Sequence, residues 1–154
     1  MLTTDFSTVP GFEAIKSYSF AAREFQSADN PAVRLTVIMT NRLPLEEQTG
    51  ADLIYYNETY RSFIMVQYKA MENGANGPEF RWNVNDRLAD EINRMDRLLE
   101  ELRKLPDSGA PYSFRLHSNP FFLKLCPRVV FNPDDKGLFN GMYLPLDLWK
   151  GLAS

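Results

Sequence analysis

The nine residues Ser62-Phe63-Ile64-Met65-Val66-Gln67-Tyr68-Lys69-Ala70 constrain the fold more than any other stretch of this chain. They read as a β-strand, and the strand period of two puts Phe63, Met65, Gln67 and Lys69 on one face and Ile64, Val66, Tyr68 and Ala70 on the other. A polar pair therefore ends an otherwise apolar face. Residues 51–56 (Ala-Asp-Leu-Ile-Tyr-Tyr) read as a second strand, and Asn57-Glu58-Thr59-Tyr60-Arg61 as the loop that joins the two into a hairpin. With that loop centred near Thr59, Asp52 comes to lie opposite Val66 or Gln67. Carboxylate, amide oxygen and ammonium then share one cross-strand neighbourhood on rigid elements.

The rest of the chain supplies layers for this hairpin. Ile15, Tyr18, Ala22 and Phe25 recur at helical spacing, which predicts a first helix over residues 12–25, with Glu13 and Glu24 opposite its apolar stripe. Asp29-Asn30-Pro31 breaks it, and residues 33–39 follow as a strand closed by Leu43-Pro44-Leu45. Asn73-Gly74-Ala75-Asn76-Gly77-Pro78 is a strong loop signal. A long helix is expected over residues 85–105, with Leu88, Ile92, Met95, Leu99 and Leu102 on one stripe, Asn85 as N-cap and Pro106 as its stop. Strand-like pieces follow at 112–116, 121–131 and 142–146. The expected fold class is α/β or α+β, a mixed central sheet flanked by helices.

A length of 154 residues fits one domain over 1–154, and no repeat or low-complexity tract divides it. The single cysteine, Cys126, cannot form an internal disulfide, and the N-terminus lacks the pattern of a secretory signal, so a cytoplasmic location and no membrane association are expected. The longest apolar runs fall far short of the roughly 20 residues of a spanning helix. A net charge of −3 argues against a general nucleic-acid binder with a basic footprint. Nucleic-acid chemistry then requires that part of the acidity belong to a cation site, or that a partner supply basic surface.

The hairpin residues suit such a cation. Magnesium takes hard oxygen ligands and keeps several waters, so Asp52, the Gln67 side-chain oxygen, the Tyr68 backbone carbonyl and Glu46 or Glu47 make a plausible half-shell. A bound Mg2+ or Mn2+ lowers the pKa of its water and neutralises charge on a phosphate, while Lys69 orients that water or stabilises the transition state. The implied reaction is phosphodiester hydrolysis. No nucleophilic triad competes, because the lone histidine, His117, and Cys126 lie in no nucleophile motif.

Glu46-Glu47-Gln48-Thr49-Gly50-Ala51-Asp52-Leu53 followed by Phe63-Ile64-Met65-Val66-Gln67-Tyr68-Lys69-Ala70 resembles the PD-(D/E)XK nuclease superfamily. The branch it is most similar to comprises restriction and defence nucleases with a Gly-x-Asp turn and a Gln-x-Lys strand. The resemblance implies a restriction-endonuclease-like domain acting on DNA. In it Asp52 would be the metal-binding aspartate, Gln67 the second ligand position and Lys69 the catalytic lysine. Glu46, Glu47 or Glu24 would be the upstream acid. It also implies a defence or restriction role and a homodimer that cuts both strands. Two departures stand out: Ala51 replaces the proline before the aspartate, and Gln67 replaces the usual acid.

Blander readings attach to the same residues. A spaced Asp and Gln-x-Lys is also what a solvated strand end would show, and Glu46 and Glu47 could be ordinary surface charge. Arg115 and His117, thrown to one face of residues 112–117, are the substrate-contact candidates. Cys126 and Phe114, Phe121, Phe122 and Phe131 read as core. Two rival functions remain: an inactive nuclease-fold module of a larger complex, and an interaction domain unrelated to nucleases. The second requires Asp52 and Lys69 to lie far apart or to point to different faces.

Overall fold

The computed structural model describes residues 2–18, 21–40, 44–82, 87–106, 109, 118–128 and 137–153. Its elements run α1 (Leu2–Ser7), β1 (Phe12–Tyr18), β2 (Ala22–Ser27), β3 (Arg34–Met39), α2 (Pro44–Thr49), β4 (Leu53–Asn57), β5 (Ser62–Ala70), β6 (Glu72–Gly74), β7 (Gly77–Glu79), α3 (Leu88–Lys104), β8 (Phe121–Cys126), β9 (Met142–Pro145) and α4 (Leu146–Ala153). Seven strands form one mixed sheet in the order β1-β2-β3-β4-β5-β8-β9, and β6 and β7 make a separate small hairpin. The expected class, a mixed sheet flanked by helices, is what the chain adopts.

From β1 to β5 each strand pairs antiparallel with its sequence neighbour. The chain then crosses over through α3, and β8 joins β5 in parallel, Gln67 beside Leu123 and Lys69 beside Leu125. A parallel pair needs such a long connection, since a tight turn can only reverse direction.

The central strands are covered on both faces. On one, Met65 of β5 and Phe121 and Leu123 of β8 pack with Ala51 against Leu88, Ile92, Met95 and Leu99 of α3 and Leu146 of α4. On the other, Leu53, Val66, Tyr68 and Cys126 pack with Phe25, Val37 and Phe6 of α1. Residues of opposite parity in β5 and β8 therefore enter different cores, as the pleat dictates. The α3 stripe expected from sequence is the one that buries, and the helix ends at Leu105, which turns to extended backbone before Pro106.

Residues 12–25 are not a helix but the hairpin β1-β2. The register slips between Ala14 and Lys16, leaving Ile15 as the extra residue of a β-bulge. That insertion spaces apolar residues three apart in a strand and so imitates a helical stripe. Ile15 is exposed, and Phe25 is the buried anchor. Residues 73–78, expected as loop, contain the turn of the β6-β7 hairpin. Asn85, the expected cap, and the expected strand 112–116 lie outside the described residues; strand 121–131 is seen as β8, ending at Cys126.

Candidate functional site

The turn that carries Asp52 is fastened before β4 begins. Gly50 N–H donates to the Glu46 carbonyl (2.7 Å), Thr49 Oγ1 to the Leu45 carbonyl (2.8 Å), and Ala51 N–H to Thr49 Oγ1 (3.2 Å). Buried Thr40 grips the next step, its N–H donating to the Asp52 carbonyl (2.8 Å) and its hydroxyl to the Ala51 carbonyl. Gly50 has φ +68°, and a Cβ there would sit 2.5 Å from the Glu91 backbone oxygen. Only glycine permits this left-handed turn and this close approach to the first turn of α3.

Asp52 stands just before β4, its N–H donating to the Val66 carbonyl (2.9 Å). Leu53 pairs with the same Val66, so Asp52 meets β5 at Val66, within the expected Val66-or-Gln67 register. Its carboxylate accepts the Tyr68 backbone N–H at Oδ2 (2.9 Å) and is 8% exposed. Burial pushes its pKa up from 3.8 to about 6; the Tyr68 amide opposes that, the charges of Glu46 and Glu91 add to it, and Lys69 opposes it. A carboxylate this reluctant to ionise favours a nearby cation.

Gln67 is 4% exposed, and its Oε1 has no hydrogen-bond donor. A buried carbonyl oxygen left without a donor costs free energy, so it marks either a strained core or a binding position. Lys69, two residues on and on the same face, lies 2.8 Å from Glu91 Oε2 of α3. That oxygen has no hydrogen-bond partner, so the contact is an ion pair without hydrogen-bond alignment. The structure thus brings Asp52, Gln67 and Lys69 into one neighbourhood below the first turn of α3.

The other expected site residues divide. The Tyr68 peptide touches the site through its amide, while its ring enters the opposite core. Glu46, half-buried on α2, acts on Asp52 through space; Glu47, on the same helix, is exposed and is not among the charges that shift Asp52. Glu24 is on strand β2, opposite Thr36, rather than on a helix, and β3 separates it from β4, so it cannot reach Asp52. Arg115 and His117 lie outside the described residues.

Glu91 is the residue that sequence reasoning missed. It is three residues after Leu88 and four before Met95, on the apolar stripe of α3, and is 7% exposed. An acid on a buried stripe was the available signal.

Divalent-cation chemistry fits part of this set. The orphaned Gln67 oxygen and the reluctant Asp52 carboxylate are hard oxygen donors of the kind magnesium and manganese take. Among the described residues no three His, Cys, Asp or Glu side chains are grouped as a metal site, so Glu46 and Glu47 do not complete an all-acid cage with Asp52. A cation would rest on a mixed set with waters.

Among the described residues no helix is long and apolar enough to cross a membrane. No protein-family model, no curated protein and no solved structure matches this chain.

Proposed function

We propose that this chain is a metal-dependent nuclease of the restriction-endonuclease-like kind, hydrolysing phosphodiester bonds in DNA. The observation that carries the reading is the buried Gln67 Oε1, without a donor, on the strand face shared with Lys69 and between Val66 and Tyr68, the two residues whose backbone Asp52 hydrogen-bonds. Asp52 and Gln67 would hold Mg2+ or Mn2+. Such an ion, when bound, acidifies water and neutralises charge on the phosphate. Tyr68 N–H fixes the orientation of the Asp52 carboxylate, so the anchor needs little reorganisation. Lys69 supplies an ammonium on the same face, placed to orient water or to stabilise the pentavalent phosphorus through its charge. Glu91 holds that ammonium in position. A homodimer, or a partner with basic surface, would supply the phosphate contacts that a net charge of −3 does not. A role in defence against foreign DNA fits the branch whose motif the chain resembles.

Purified protein incubated with supercoiled plasmid and with single-stranded DNA, with Mg2+ or Mn2+, tests this. Cutting should depend on the metal and fall by about two orders of magnitude or more in both Asp52→Ala and Lys69→Ala. Metal-dependent cutting that survives both substitutions would remove the assignment.

The Lys69–Glu91 ion pair and the neutral Gln67 favour one second reading, a nuclease fold that binds or assembles without cutting. It predicts no metal-dependent shift in thermal stability, whereas the enzyme should be stabilised by millimolar Mg2+ or Mn2+.

A further inference from the structure

We propose that Glu91 is the second anionic ligand of the cation site, supplying from α3 the carboxylate that β5 lacks at Gln67. This rests on the nuclease reading and adds to it a residue outside the hairpin motif.

The fold makes Glu91 a resident of the site rather than a visitor. The Gly50 turn packs so closely on α3 that a single added carbon would strike the Glu91 carbonyl. The backbone of residue 91 is therefore fixed against the turn that leads to Asp52. From there its side chain reaches under the helix to Lys69, which belongs to the strand beside Asp52. Helix, turn and strand are thus pinned to one another around these groups.

Burial of this acid needs a reason. An ionised carboxylate on the apolar stripe of α3 is costly unless paired, and Lys69 supplies one partner. The pairing lacks hydrogen-bond alignment, so Oε2 is held by charge rather than by a directed bond. Two residues before Lys69 on the same strand face, the Gln67 carbonyl is buried and without a donor. Two buried hard oxygen atoms on the α3 side of the strand that Asp52 adjoins describe a place short of positive charge. A single lysine does not supply enough. Magnesium and manganese sites commonly use two carboxylates with waters, and here the motif strand offers only an amide.

Manganese binding, followed by the electron paramagnetic resonance signal of free Mn2+ or by calorimetry, separates this role from simple pairing with Lys69. Glu91→Gln should weaken Mn2+ binding by about tenfold or more, and adding Gln67→Glu in the same chain should restore it, because the carboxylate is then delivered from β5. To guard against misfolding from a lysine that has lost this carboxylate, the comparison is repeated between Lys69→Met and Lys69→Met/Glu91→Gln, whose sites hold no ammonium. The same loss should appear. Glu46→Gln is the control for charge alone, since Asp52 feels Glu46 as well as Glu91; it should weaken binding much less. Equal effects of Glu46→Gln and Glu91→Gln, or unchanged Mn2+ affinity in Lys69→Met/Glu91→Gln relative to Lys69→Met, would overturn the assignment of Glu91. Binding lost in Asp52→Ala but retained in both Glu91 variants would overturn it and leave the nuclease reading standing. No Mn2+ binding by the wild type would end both.

Discussion

Strands β5 and β8 carry a lysine–carboxylate pair on each face, and the two pairs are built to opposite ends. On the α1 face Lys124 and Asp5 are both fully buried and ion-paired. The Asp5 carboxylate is fully engaged there: it also accepts the Tyr68 hydroxyl (2.7 Å) and the Phe139 N–H, and the Lys124 ammonium lies 5.2 Å from the Tyr68 ring centroid and 4.7 Å from that of Tyr143, although the nearby Tyr55 hydroxyl and Arg23 Nε have no hydrogen-bond partner. On the α3 face Lys69 and Glu91 are nearly as buried, at 12% and 9%, yet Gln67 Oε1 beside them has no donor and Asp52 resists ionisation. Satisfied buried groups tie α1, the sheet and residue 139 together. The unsatisfied Gln67 oxygen is what the proposed cation site would use. Tyr68 and Lys69, adjacent in sequence, fall on opposite sides of this division solely because the pleat alternates.

The largest expected effect breaks the satisfied face. Asp5→Ala strands a buried ammonium, and should cost about 3–5 kcal/mol in urea unfolding, with faster amide exchange in α1. Replacing both partners, as Asp5→Leu with Lys124→Met, should recover most of the loss, because the charge is then absent rather than unpaired. A loss below about 1 kcal/mol for the single change would show that the two faces do not differ as described.

Next comes Asp52→Asn, which sharpens the other side. The folded pKa of about 6 lies above the ordinary 3.8, so between these values the folded chain holds more protons than the unfolded one. The contribution of Asp52 to stability should therefore fall as pH rises from about 4 through 6, by up to about 3 kcal/mol, and stay reduced above. Asparagine cannot ionise and keeps an oxygen for the Tyr68 amide. The variant should be more stable than wild type at pH 8 and equal to it near pH 3, by parallel urea titrations. Added Mg2+ should narrow the gap at pH 8 by stabilising the wild-type carboxylate alone.

The sequence made β5 legible because its alternation is unbroken over nine residues, and the hairpin register followed from one loop position. Asp52, Gln67 and Lys69 could be placed from those two facts. The β1-β2 hairpin could not, since the bulge at Ile15 erased the period of two and left a three-residue spacing that helices share. Glu91 was hidden by a different cause. Helical periodicity rests on apolar residues, and an acid on the stripe counts against the stripe rather than for a site. Lys124, alone among the apolar residues of Phe-Phe-Leu-Lys-Leu-Cys, gave the same kind of signal, but its partner is 119 residues away and beyond any local rule. Buried Cys126 behaves as core, its thiol pushed up to about 11 by desolvation.

A smaller effect is expected from Gly50→Ala. The left-handed φ and the approach to the Glu91 carbonyl together should cost about 1–3 kcal/mol. Its value lies in what moves with it. If the turn and α3 are pinned to hold the site, Mn2+ affinity should drop along with stability, whereas the Asp5 and Lys124 double replacement should leave affinity near wild type. Equal losses of affinity in both would mean the two faces are not independent.

The smallest effect calibrates the comparison. Lys150 of α4 and Asp96 of α3 form a third pair of the same chemistry, but at 40% and 36% exposure. Water screens such a pair and side-chain entropy opposes it, so a double-mutant cycle on Lys150→Ala and Asp96→Ala should give a coupling of about 1 kcal/mol or less, shrinking further in high salt. The same cycle on Lys69 and Glu91 should give more, because those charges are largely withdrawn from water, and should respond less to salt. Its distinctive mark is a third variable: Mn2+ should reduce the Lys69–Glu91 coupling, as a cation shares the carboxylate, and leave the Lys150–Asp96 coupling unchanged. If the metal alters neither, the pair on the α3 face is a fastener like the one on the α1 face, and exposure alone would separate the three.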